Sequence, residues 1–186
     1  NAILGKSNLF LIKYAKKVIC YYSEIKNFPN LYKKKIKIIE PLMRKSTYIS
    51  KKNLNLNFKN QINIVVIGGS QGAEFFDNMS TELFKNLSKK IKINVLQQVS
   101  NINKYKEIQN IYETCGINYK LFKFDENLTD ILGEFNLALT RCGASTMAEL
   151  VQLNVPFIGI PFPYAKDDHQ YLNAIEYEKK NCCWIF

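Results

Sequence analysis

The chain has 186 residues, of which 47% are hydrophobic and 23% charged, and this composition excludes a disordered chain. Its formal net charge of +10 is uneven, because residues 1–60 hold 14 Lys and Arg against two acidic residues, whereas residues 61–186 hold 12 against 14. A transmembrane helix is not expected, because lysines interrupt the one long apolar candidate, residues 9–22.

The first third is predicted to contain a short helix and two strands. Residues 6–17 have apolar positions at helical spacing, and residues 18–22 form an apolar run typical of a buried strand. A second strand is predicted at residues 35–39. The Asn- and Lys-rich stretch 46–60 has too few apolar residues for a core, so we predict an interdomain linker there.

From residue 61 onward, strands and helices are predicted to alternate. The predicted strands are 62–67, 93–99, 119–124, 137–140, 156–160 and 183–186. The predicted helices are 72–89, 104–114, 128–132, 146–153 and 168–180. Because the strands are near-continuous apolar runs, this alternation predicts a doubly wound α/β domain with a parallel sheet covered on both faces. Ligands of such sheets bind outside the carboxyl ends of the strands.

A glycine-rich segment, Gly68-Gly69-Ser70-Gln71-Gly72-Ala73, follows the first of these strands. Glycines let backbone N–H groups at a helix N-terminus approach a phosphate or a sugar closely, and Ser70 adds a hydroxyl. The segment has neither the lysine of a Walker A loop nor GxGxxG spacing. It predicts a phosphate or sugar contact, and the alternative is a tight turn that binds no ligand.

A second motif, Arg141-Cys142-Gly143-Ala144-Ser145-Thr146-Met147-Ala148-Glu149, follows the strand at 137–140. Glu149 is a candidate to accept hydrogen bonds from both hydroxyls of a ribose. The alternative is a capping box, in which Thr146 caps the helix and Glu149 only bonds a backbone N–H of the first turn.

A third polar segment follows the strand at 156–160. Gln170 and Asn173 are three residues apart on a predicted helix, so both amides can meet sugar hydroxyls from one face. The neighbouring Asp-Asp-His at 167–169 has no second ligand cluster, and His169 is the only histidine. We therefore expect neither a metal site nor a nucleophilic triad.

Arg44 is a fourth candidate, because an arginine just before the linker can reach a pyrophosphate in an interdomain cleft. The alternative is a solvated arginine in a basic segment. The five cysteines, odd in number and without a CxxC pair, favour a reducing cytosol.

Taken in order, the three motifs resemble the MurG family of glycosyltransferase family 28. This family transfers N-acetylglucosamine from UDP-N-acetylglucosamine to undecaprenyl-pyrophosphoryl-muramyl-pentapeptide. The resemblance implies a GT-B fold of two Rossmann-like domains, and it includes the opening segment of this chain. Residues 1–45 would be the tail of the acceptor domain, 46–60 the linker, and 61–186 a donor-binding domain truncated at its C-terminus. Both ends look cut, so we expect a fragment that is inactive alone.

The resemblance also implies which residues bind the donor. The implied residues are Asn1, Arg44, Ser70, Phe124, Asp125, Leu128, Ala144, Ser145, Thr146, Glu149, Gln170 and Asn173. Of these, the segment from Phe124 to Leu128 would receive the uracil, Glu149 the ribose and Gln170 the sugar. The first turn at 144–146 would line the pyrophosphate, with Ser70 near the phosphate or sugar. Arg44 departs from the family spacing, since two residues instead of one separate it from Pro41.

The family mechanism is inverting and needs neither a metal nor another cofactor, and its catalytic base would lie upstream of residue 1. The expected partners are UDP-N-acetylglucosamine, the undecaprenyl-linked acceptor and an anionic membrane surface that the basic first third would contact. The expected location is the cytoplasmic face of a bacterial inner membrane. The alternatives are another GT-B transferase that acts on a glycolipid, or a non-catalytic binding protein with a basic arm for nucleic acid. Nucleic acid is not expected, because the aromatic residues of the first third do not interleave with its lysines.

Overall fold

A computed structural model describes residues 2–49, 61–69, 73–165 and 168–186. Its helices are α1 (Lys6–Leu11), α2 (Lys45–Ile49), α3 (Ala73–Leu87), α4 (Ile102–Thr114), α5 (Leu128–Ile131), α6 (Ala144–Gln152) and α7 (His169–Glu178). Its strands are β1 (Val18–Cys20), β2 (Ile36–Ile38), β3 (Gln61–Ile67), β4 (Lys92–Gln98), β5 (Asn118–Phe122), β6 (Leu137–Thr140), β7 (Phe157–Gly159) and β8 (Cys183–Ile185).

The main sheet has six strands in the order β5-β4-β3-β6-β7-β8, and every neighbouring pair is parallel. The chain runs from β3 outward to β5 and then returns to β6 on the other side of β3. The strand order therefore reverses between β3 and β6, which is where a doubly wound sheet leaves a ligand crevice. The predicted doubly wound α/β arrangement is confirmed.

The central strand β3 is buried over residues 64–67, and these four residues are all apolar. Val65 and Ile67 of β3 belong to one apolar layer, and Ile64 and Val66 belong to the other. Successive side chains of a strand point to opposite faces, so a strand covered on both sides must be apolar at every position.

The helix α1 ends at Leu11, six residues earlier than predicted. The apolar spacing continues to Ala15, but the residues just after Leu11 are bonded instead by Lys35, which directly precedes β2. Its Nζ donates to the carbonyl oxygens of Ile12 (3.0 Å) and Lys13 (3.1 Å). These bonds satisfy carbonyls that the helix leaves without partners at its C-terminus.

The first segment, residues 2–49, is attached to the second part of the chain through α7. Strands β1 and β2 form a separate parallel pair. The backbone N–H of Ala2 donates to Oδ1 of the buried Asn173 (2.9 Å), and the hydroxyls of Tyr22 and Tyr177 are hydrogen-bonded to each other.

Helix α2 overlaps the first residues of the predicted linker, 46–49, and packs against α5 and α6. Residues 50–60 of that linker lie outside the described residues. In the described ranges, no helix has the length and apolarity needed to cross a bilayer.

Candidate functional site

The candidate site is the crevice at the carboxyl ends of β3 and β6. Gly68 and Gly69 follow β3 on one side, and residues 141–143 follow β6 on the other. Gly69 has φ +66°, a left-handed conformation that favours glycine, and its N–H donates to Oε1 of Gln98 (3.0 Å). That bond ties the glycine-rich segment to the end of β4, and the rest of the segment, residues 70–72 with Ser70, lies outside the described residues.

The N-terminus of α6 faces the same crevice. The helix begins at Ala144 with Gly143 as its N-cap, and no side chain caps it. The N–H groups of its first turn, residues 144–146, therefore have no capping side-chain acceptor, and they carry the positive end of the helix dipole. Such an end can bind an anion such as a phosphate.

Glu149 does not take part in a capping box. Thr146 is the third residue of α6 and Glu149 the sixth, so the capping-box interpretation is wrong. The Glu149 side chain is half-buried, and this burial raises the pKa of its carboxyl, while the positive charge of Arg44 opposes the rise. A half-buried carboxylate beside an arginine, on the helix that enters the crevice, can accept hydrogen bonds from a ligand hydroxyl.

Arg44 reaches the crevice despite its departure from the family spacing. It directly precedes α2, and its Nη1 donates to the backbone oxygen of Glu126. Arg44 therefore contacts the Phe124–Leu128 segment, and its positive charge also acts on the carboxyl of Glu149.

The Phe124–Leu128 segment, which is predicted to receive the uracil, forms one wall of an open cavity of about 480 Å³ beside Arg44. Phe124 is 72% exposed there. Asp125 shapes the segment, since its Oδ1 accepts from the N–H of Asn127 (2.8 Å) and its carbonyl accepts from Leu128 (3.4 Å). An exposed aromatic ring beside a cavity can stack against a flat ligand group.

Gln170 holds the ends of two strands together. Its Oε1 accepts from the backbone N–H of Cys142 (3.2 Å), after β6, and of Phe162 (2.9 Å), after β7. Two N–H donors require an oxygen between them, so this contact also fixes the orientation of the amide. In the described part of the chain, its Nε2 has no hydrogen-bond acceptor and remains available to a ligand.

Asn173 has a different position from the one its spacing predicted. Its side chain is fully buried, and Oδ1 accepts from Ala2. The structure thus gives Asn173 a role in joining the first segment to α7. Asn1 and residues 166–167 lie outside the described residues.

Arg141 was part of the second motif, but sequence reasoning gave it no role. The structure buries it among three aromatic rings at the carboxyl end of β6. Its aromatic neighbours Phe75 and Phe76 stand just after the glycine-rich motif, and Phe162 stands at the start of the third segment. Within the described ranges, no three His, Cys, Asp or Glu side chains converge as metal ligands.

Comparison with known proteins adds two findings on sequence. The model of the glycosyltransferase family 28 C-terminal domain matches residues 63–186. A Pelagibacter ubique protein is 40% identical over 185 residues, which cover 100% of this chain and 51% of that protein. A Rickettsia bellii protein is 35% identical over 193 residues, which cover 99% of this chain and 53% of that protein. Both are named UDP-N-acetylglucosamine–N-acetylmuramyl-(pentapeptide) pyrophosphoryl-undecaprenol N-acetylglucosamine transferase. The chain spans about half the length of these relatives.

Solved structures agree on the fold. The crystal structure of Acinetobacter baumannii MurG matches with a TM-score of 0.75 at 24% identity, over 100% of this chain and 51% of that one. The structure of the kitacinnamycin glycosyltransferase matches with a TM-score of 0.61 at 14% identity, over 93% of this chain and 42% of that one. These likenesses confirm the predicted GT-B fold class.

Proposed function

The chain belongs to the family defined by the glycosyltransferase family 28 C-terminal domain, and we propose that it is the donor-binding part of an inverting N-acetylglucosaminyltransferase. The donor is UDP-N-acetylglucosamine, and the acceptor is the undecaprenyl-linked muramyl-pentapeptide. Both substrates follow from the names of the relatives with which the whole chain aligns.

The observation that carries the proposal is the position of Glu149. It lies on α6 without a capping partner, half-buried and beside Arg44, at the crevice where the strand order reverses. A carboxylate at that point of a doubly wound sheet is suited to accept both hydroxyls of a ribose.

The other donor contacts follow from this placement. The uracil stacks against Phe124 and is bordered by Asp125 and Leu128, while the first turn of α6, residues 144–146, and Arg44 bind the diphosphate. The Nε2 of Gln170 donates to a hydroxyl of the sugar. Ser70 and Asn1 are assigned to the sugar and phosphate end by the family resemblance alone.

Departure of UDP leaves negative charge on its terminal phosphate. N–H groups and a guanidinium that already point at that position stabilise this charge without a metal ion. The residues described above supply this stabilisation, whereas the base that activates the acceptor is assigned to the part of the transferase upstream of residue 1.

The test is titration calorimetry of this chain with UDP-N-acetylglucosamine, UDP-N-acetylgalactosamine and UDP-glucose. We expect UDP-N-acetylglucosamine to bind most tightly. Glu149→Gln should weaken all three by about tenfold or more, because the negative charge is lost and one of the two acceptor oxygens becomes an NH2 donor. The control is Glu113→Gln, since Glu113 is an exposed acid on α4, away from the crevice. No binding of any UDP sugar by the chain would refute the proposal.

We also propose that the first segment contacts an anionic membrane surface on the cytoplasmic side, where the lipid acceptor is presented. Phe10 on α1 and Tyr14 shortly after it are exposed, and Nζ of Lys13 lies 5.1 Å and 4.8 Å from the two ring centroids. Exposed rings among lysines suit the interface of an anionic bilayer.

Sedimentation with phosphatidylglycerol and phosphatidylcholine vesicles tests this second proposal. Binding should require phosphatidylglycerol, weaken with salt, and fall for Phe10→Ser/Tyr14→Ser. Ile102→Ser, at an exposed apolar residue of α4, is the matched control. Equal binding to both vesicle types, or salt-dependent binding to DNA instead, would contradict it.

A further inference from the structure

Arg141 is held in an aromatic cage at the base of the crevice. Its Cζ lies 4.7 Å from the ring centroid of Phe75, 5.2 Å from that of Phe76 and 5.5 Å from that of Phe162. Its Nη1 donates to the backbone oxygens of Ile160 (3.2 Å) and Pro161 (3.1 Å). The residue is only 8% exposed, so its guanidinium is confined.

Within the described part of the chain, no carboxylate compensates the charge of this guanidinium. Among the residues that the structure describes, the ion pairs do not involve Arg141, and its partners are neutral rings and backbone oxygens. Its Nε is buried without an acceptor. A buried charge without a counter-charge is costly, so a protein that retains one places an anion near it.

The cage joins the three segments that form the crevice. Phe75 and Phe76 belong to the first turn of α3, directly after the glycine-rich segment. Arg141 itself follows β6 and precedes the N-cap of α6, and the segment from Ile160 to Phe162 follows β7. One side chain therefore fixes the positions of two helix N-termini relative to each other.

We infer that Arg141 is a positioning residue for the diphosphate of the donor. It holds the backbone N–H groups of the two helix N-termini in register, and its unpaired charge favours an anion between them. Arg44 contacts the diphosphate from the open side of the crevice, whereas Arg141 acts on it from the base of the crevice. The inference rests on the proposed function, because it takes a nucleoside diphosphate as the ligand.

The test compares UDP with uridine, which shares the base and ribose but lacks the charge. Calorimetric titrations use the full chain as wild type, Arg141→Gln and Arg141→Lys. Arg141→Gln should weaken UDP binding about 10- to 100-fold and change uridine binding by less than about twofold. Arg141→Lys keeps the charge without the planar fork, so its loss of UDP affinity should lie between those of wild type and Arg141→Gln.

A second pair of variants keeps the test informative if Arg141→Gln does not fold. Phe75→Leu removes one ring of the cage from a position that is 43% exposed, and Leu83→Ala is the matched control at 41% exposure on the same helix. Phe75→Leu should weaken UDP binding about two- to fivefold, whereas Leu83→Ala should not change it.

The outcomes separate this inference from the proposed function. If the wild-type chain binds neither UDP nor uridine, the proposed function fails and the inference fails with it. If the wild type binds both and the cage variants weaken UDP and uridine equally, the proposed function stands and Arg141 is only structural. Unchanged UDP binding in all variants would also overturn the inference.

Discussion

The substitution Gly159→Ala should destabilise the chain through one identifiable contact. Gly159 ends β7, and a Cβ built on it would lie 2.8 Å from Sγ of Cys142. That separation is shorter than ordinary van der Waals contact, and Cys142 is fully buried, so either the sulfur or the strand must move. Inserting a methyl group into a packed core costs about 1–3 kcal/mol.

The same contact predicts that a second substitution, at Cys142, restores part of the lost stability. Cys142→Ala alone removes one buried sulfur atom, and burial raises the pKa of this thiol to about 12, so no charge is lost. In the Gly159→Ala/Cys142→Ala double variant, the new methyl group occupies the space that the sulfur has left. The loss in free energy of unfolding of the double variant should therefore be smaller than the sum of the losses of the two single variants, by about 1 kcal/mol or more.

Thermal and urea unfolding followed by circular dichroism measure these effects. For a chain of this size, 1 kcal/mol corresponds to about 2–4 °C in Tm, so Gly159→Ala should lower Tm by about 2–12 °C. Strictly additive single effects, or a Gly159→Ala variant as stable as the wild type, would refute the assigned contact.

Three further predictions concern separate parts of the molecule. Burial raises the pKa of Glu149 in the folded state, so ionisation of its carboxyl opposes folding. Glu149→Gln should therefore gain stability over the wild type as pH rises above the ordinary Glu value of 4.5, with no gain below it, as pH-dependent urea unfolding can measure. Tyr112→Phe removes the bond from a buried hydroxyl to Oε1 of Gln97 (2.5 Å) and should cost about 1 kcal/mol in urea unfolding. Lys35→Met removes the two bonds to the carbonyls just after α1 and should cost about 0.5–1.5 kcal/mol, and Lys35→Arg, which keeps donors there, should recover part of the loss.

The sheet could be predicted from the sequence because a buried parallel strand leaves a local signal. Such a strand is mostly apolar and is followed by turn residues, and the strand predicted at 137–140 is found as β6, Leu137–Thr140. The length of α1 had no such signal. Its apolar spacing continues past Leu11, and the lysine that bonds the carbonyls just after it comes from a segment more than 20 residues away.

In the candidate site, too, some features could be predicted from the sequence and others could not. The strand-end motifs were recognisable because glycine and polar residues interrupt apolar runs. The contacts of Asn173 and Arg141 depend on distant partners, namely the backbone of Ala2 for the first and three rings from two segments for the second. Spacing on one helix predicted a shared face for Gln170 and Asn173, but a partner from the opposite end of the chain buries one of the two.

The net charge of residues 61–186 and the local charge that we assign to the crevice have opposite signs. Residues 61–186 hold two more acidic than basic side chains, although the crevice that we assign to a diphosphate lies largely within them. The positive potential there must come from a few fixed sources: the uncapped N-terminus of α6, the caged guanidinium of Arg141, and Arg44, which the first segment supplies. Because the guanidinium of Arg141 is buried, salt screens it less than it screens the exposed Arg44 and the exposed lysines of residues 2–49. Donor binding should therefore depend weakly on ionic strength and membrane binding strongly, so a salt titration distinguishes the two proposed sites.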